Sequence, residues 1–152
     1  MRAPDSVTRH FRSGLIIADT GASPVSAEVR MTYATARVAK ARKYLVNGDY
    51  EGADTFCESA VVIAFEAWLM HHRLKFSTSF NSHQATADIA AWLMERSGHK
   101  IDTWAMHDLV SGRQAIMYRP WSVSTNTDDT SKAVALAADV VALLSTLPPI
   151  KD

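Results

Sequence analysis

Between Gly48 and His72, apolar residues return at three- and four-residue steps: Tyr50, Ala53, Cys57, Ala60, Val61, Ala64, Phe65, Trp68 and Leu69. That is the repeat of one helix face. Val62, Ile63, Ala67 and Met70 occupy the other faces. A helix apolar on nearly every side belongs at the centre of a bundle. The pattern therefore predicts a central helix over about Tyr50–Arg73, capped by Asp49, with the rest of the chain packed around it.

The same period marks four more helices. Pro24 and Ser26 open one over about Ser26–Asn47, with Ser26 as its N-cap and a drifting core stripe of Val29, Tyr33, Ala36, Val38, Ala41 and Leu45. Asn47-Gly48 ends it, since both residue types tolerate the left-handed conformation. A connection this short makes the first two helices an antiparallel hairpin. A third helix runs from Asn81 or Ser82 to about Ser97, on Ala85, Ile89, Trp92 and Leu93. Asp102 caps a fourth, Thr103–Tyr118, with Ala105, Leu109, Gly112 and Ile116 on one face and Trp104, Val110, Ala115 and Met117 flanking. The last spans about Thr127 or Asp128 to Leu147, and Pro148-Pro149 stops it. No stretch alternates as a strand would. The expectation is an all-α, single-domain five-helix bundle built on an antiparallel helical hairpin. Its bundle domain covers 24–148, with a tail at 149–152. Residues 1–23 have no sustained period and read as a flexible N-terminal arm, with a short turn around Val7–Arg12 and with Leu15–Ile17 placed to dock on the body.

Composition narrows the class without naming a function. Apolar content of 47% and charged content of 21% are ordinary for a globular domain. Sixteen basic and sixteen acidic residues cancel. They are unevenly spread: residues 1–47 carry a net +5 and the remainder −5. Such asymmetry suits either a phosphate-facing surface or a basic helix matched to its acidic neighbours. Here Lys40, Arg42 and Lys43 return beside Glu51, Asp54 and Glu58, which makes charge matching the simpler account. A single cysteine, Cys57, permits no internal disulfide. It reads as a core residue, consistent with a cytoplasmic protein. No apolar run is long enough to span a membrane. His71, His72 and His83 lack the Glu-x-x-His spacing of four-helix metal sites, so no metal or cofactor is expected. His107, Asp108 and Ser111 share the residue types of a hydrolytic triad but not its strand-to-helix elbow.

A helix ending in Lys43-Tyr44-Leu45, the junction Gly48-Asp49-Tyr50-Glu51 and an Ala-rich second helix follow one another. In that order they resemble the start of a HEPN (higher eukaryotes and prokaryotes nucleotide-binding) domain. The resemblance covers about Ser26–Leu147. It implies a homodimer, RNA or a nucleotide as ligand, and a toxin–antitoxin or phage-defence setting. Active members of that family resemble metal-independent ribonucleases. They carry an Arg followed four to six residues later by His near the end of the fourth helix.

In this chain Arg113 stands where the family has its Arg, and five residues later comes Tyr118; no histidine follows His107. A tyrosine, with a pKa near 10, is a poor proton shuttle at neutral pH. The reading therefore leans away from catalysis and assigns no catalytic residue. It expects phosphate or RNA binding by Arg113, Tyr118, Arg119 and His107. The other account of Arg113 is an ion pair with an internal carboxylate. Two alternatives stay open: a non-enzymatic helical module for a protein partner, and a ribonuclease in which His107 or His83 replaces the absent histidine.

Overall fold

The computed structural model describes residues 2–118 and 127–151, with side chains described for 2–111 and 128–151. The chain is all-α apart from one small two-stranded sheet. In order it forms α1 (Asp5–Arg12), β1 (Ile16–Ala18), α2 (Pro24–Val46), α3 (Tyr50–His71), β2 (Leu74–Phe76), α4 (Ser82–Arg96), α5 (Thr103–Tyr118) and α6 (Thr127–Ser145). All five helices expected from the periodicity are present, and α1 precedes them. Among the described residues no helix is long and apolar enough to cross a membrane.

Helix α3 is the centre, in contact with α2, α4, α5, α6 and β2. Ala53, Cys57, Ala60, Val61, Ala64, Phe65, Trp68 and Leu69 are all essentially without solvent contact. Its most extensive partner is α2, which buries Ala27, Ala34, Val38 and Ala41. Ala53, Cys57, Ala60, Ala64 and Ala67 repeat on α3 at the same four- and three-residue steps. Rows of small side chains let two helix backbones approach closely. The α2 stripe differs from expectation: Val29, Tyr33 and Ala36 are exposed. The apolar residues of α2 lie on two faces, and only the alanine-rich one is covered.

The junction between these helices follows from turn and cap chemistry. Gly48 takes φ +78°, a conformation L side chains rarely adopt. The Asp49 carboxylate accepts from the Gly52 N–H at 2.9 Å, a standard N-cap. A Cβ at Gly52 would come within 2.9 Å of both Tyr44 and Asp49. At the other end Ser23, not Ser26, caps α2: its Oγ accepts from the Ser26 N–H at 3.1 Å and Pro24 occupies the first turn. The basic C-terminal half of α2 meets an aromatic ring. Lys40 and Arg37 lie over the Phe56 ring, 5.5 and 5.9 Å from its centroid, and Tyr44 stacks on that ring at 5.2 Å.

The first 23 residues, read from the sequence as a loose arm, carry α1 and β1. Val7 and His10 are buried where α1 meets α4. Strand β1 pairs antiparallel with β2, Ile16 opposite Phe76 and Ala18 opposite Leu74. The ladder is extended by Ser77 N–H to Leu15 O and Asp19 N–H to Arg73 O, each 2.8 Å. Three-residue strands are too short to show alternation. The chain's end is also held: the Pro148 carbonyl accepts from Trp68 Nε1 at 2.7 Å and from His72 Nε2 at 3.0 Å.

Candidate functional site

Asp88 sits on α4, a helix buried on most of its surface from Ala85 to Met94. Its carboxylate is shared by two histidines from different elements. His10 Nε2, on α1, donates to Oδ2 at 2.8 Å, and His107 Nε2, on α5, donates to Oδ1 at 2.8 Å. One acid thus ties three helices together. Two N–H donors on separate oxygens set the tautomer: in each ring Nε2 carries the proton that faces Asp88, leaving Nδ1 as the acceptor of the neutral ring. His10 is buried, whereas the His107 side chain is 37% exposed. The first is therefore a tether and the second reaches solvent.

His107 opens on a cavity of about 630 Å³ with Ser79, Phe80, Asn81, His83, Gln84 and Ser111. A second cavity, of about 590 Å³, lies beside it and includes Arg9, His10 and Ser77. Phe80, Asn81 and Gln84 border both, so the two are halves of one cleft divided by a ridge. Each half falls within the roughly 300–1,000 Å³ typical of ligand sites. Polar groups flank Phe80, the apolar member of the ridge. Ser111 donates to the His107 carbonyl at 2.6 Å. His83 Nδ1 is buried without a hydrogen-bond partner among the described residues. Behind His83 stands Glu66, paired with Arg30 at 2.9 Å. Burial raises the Glu66 pKa, and Arg30 and His83 pull it back down.

Three other titratable groups lie away from the cleft. Burial, with Asp129 nearby, pushes Asp54 up to about 6. Burial, with Asp54 nearby, pushes the Cys57 thiol up to about 12, which leaves it a core residue without thiolate character at neutral pH. His72 is lowered by burial, against the opposing effect of its bond to Pro148.

Of the residues expected to bind phosphate, His107 is placed at the cleft. Arg113 and Tyr118 lie within the backbone span of α5, but their side chains, like all of Arg119 and Trp121, lie outside the described residues. One aromatic differs from expectation: Trp104, read as flanking the apolar face of its helix, is 80% exposed. Phe76 folds back and stacks on Phe65 at 5.8 Å, while Phe80 stays 75% exposed on the ridge. His10 and Asp88 were not singled out by the sequence. Their signals were faint but present: an acid amid the apolar middle of a helix, and His10 three residues after Val7 on one face of a short helix. Among the described residues no group of three or more His, Cys, Asp or Glu is arranged to hold a metal ion.

No family model, curated protein or solved structure matches this chain.

Proposed function

We propose that the chain is a HEPN-like helical domain that binds RNA or a nucleotide, as a homodimer, in the cleft fronted by His107. The observation that carries this reading is the shared Asp88 carboxylate. It holds His107 in one tautomer at the edge of a cleft whose lining is mostly hydrogen-bonding side chains. The acid stands behind the lining and not on it: each oxygen accepts an imidazole N–H and the side chain is only 18% exposed. Arg9 adds positive charge on the far side of the ridge, and α5 runs on from His107 toward Arg113 and Tyr118. The order of the long helices supports the family reading, as does the hairpin junction. Catalysis is no part of this reading, and a toxin–antitoxin or phage-defence setting rests on the resemblance alone.

Titration of labelled RNA oligonucleotides followed by fluorescence anisotropy tests it. Affinity should fall as salt rises, since phosphate contacts release counterions. It should also fall in His107→Ala and Arg113→Ala with the fold intact. Absence of binding to any RNA or nucleotide at low salt would sink the proposal.

One observation favours a second reading, a module for a protein partner. Val25, Val29 and Tyr33 stand exposed at four-residue spacing along α2, the repeat of one helix face. On that reading a partner complex forms that Val29→Glu abolishes and His107→Ala leaves untouched.

A further inference from the structure

We infer that residues 79–84 form a base-reading loop for single-stranded RNA: an unpaired base stacks on Phe80, and the side-chain amides of Asn81 and Gln84 read its edge. This rests on the RNA-binding proposal and adds to it the contact that recognises sequence.

The loop is built before any ligand arrives. Ser77 Oγ donates to the Gly14 carbonyl at 2.7 Å, and the Ser77 N–H donates to the Leu15 carbonyl. The Phe80 N–H donates to Thr78 Oγ1 at 3.2 Å. Ser82 returns its hydroxyl to the Ser79 carbonyl at 2.8 Å. An aromatic ring that is 75% exposed on so constrained a backbone offers its face with little ordering left to do. Stacking on such a ring is tolerant of base identity, because every base has a π face.

Selectivity then falls to the amides. Asn81 holds the N-cap position of α4, where an Asn side chain ordinarily accepts from the first turn. Here its backbone is left-handed, φ 63°, and the side chain makes no cap hydrogen bond. The amide is thereby not engaged in capping its own helix. Gln84 is exposed one helical turn further on, and both residues border both halves of the cleft. Asn and Gln each offer a donor beside an acceptor, the pattern that pairs with adenine N7 and N6. Cavities on either side of the ridge leave room for the chain to enter past Arg9 and leave past His107.

Anisotropy titrations with short labelled oligo(A), oligo(C) and oligo(U) test the assignment, with circular dichroism confirming the fold of each variant. Oligo(A) should bind tightest. Phe80→Ala should weaken it about ten- to a hundred-fold, and Phe80→Tyr should retain it. The double variant Asn81→Gly with Gln84→Ala keeps the left-handed backbone and should remove the preference for oligo(A). If wild-type affinity is equal for the three oligomers, or unchanged in Phe80→Ala, base reading is overturned while RNA binding stands. If no oligomer binds, both proposals are overturned.

Discussion

Along the α2–α3 hairpin the buried positions are apolar, small on α2 and reaching Phe65, Trp68 and Leu69 on α3, and the Asp49 carboxylate caps the junction. Between α1, α4 and α5, one carboxylate and two imidazoles hold the elements together. The hairpin can lose a little volume anywhere and keep its register, because many small contacts share the burden. The cleft cannot, because each of its two tethers runs through Asp88. What differs is how the loss is distributed. A core of this kind spreads its burial over many contacts, whereas a polar clasp rests on a few and in return fixes the orientation of a side chain that solvent reaches.

The largest effect expected on the core side is Trp68→Ala. It removes a fully buried ring and the donor to the Pro148 carbonyl. The loss should be about 3–5 kcal/mol, read as a shift of the urea midpoint. Asp88→Ala is the matching break in the cleft. It leaves buried His10 without its acceptor, and should cost about 2–3 kcal/mol. Asp88→Asn should cost less, since the amide oxygen still accepts from one imidazole. Equal losses in the two Asp88 variants would contradict the shared-carboxylate account.

A smaller effect contrasts Asp88 with another half-buried acid, Asp54, which has Asp129 rather than histidines beside it. Its pKa is raised from 3.8 to about 6. In that window the folded state keeps a proton that the unfolded chain has released, so stability falls as pH rises from about 4 to 6 and stays lower above it. Asp54→Asn removes that fall. It should stabilise the protein by about 1 kcal/mol at pH 7, after allowance for solvent screening, and by nothing below pH 4. Denaturant titrations at the two pH values measure the difference. Least of all, Cys57 should be silent to a thiol reagent in the native protein at pH 8 and react only on unfolding, with its pKa near 12.

The sequence showed the hairpin and the positions of the three other long helices because apolar period is a local property. Trp68, Phe65, Ile89 and Leu93 could be placed from their neighbours alone. It misplaced Val29 and Tyr33, since α2 carries two apolar rows and nothing local says which is covered. The cleft was hardly legible for a different reason. His10 and Asp88 are 78 residues apart, and neither spacing nor composition links them. His107 was singled out, but as an accessory to Arg113. Its carboxylate partner emerged only once α4 and α5 were side by side. Likewise nothing local says whether Phe80, in the loop before α4, folds back or stays outside; in the fold it is 75% exposed.

The central claim, that the ligand meets the protein at the cleft held by Asp88, is tested most directly by amide and imidazole NMR shifts on adding a short single-stranded RNA. The account predicts shifts gathered at residues 79–84, His107 and Ser111, with the Val25–Val29–Tyr33 face of α2 unmoved. Shifts confined to that face of α2, or none at saturating RNA, would contradict it.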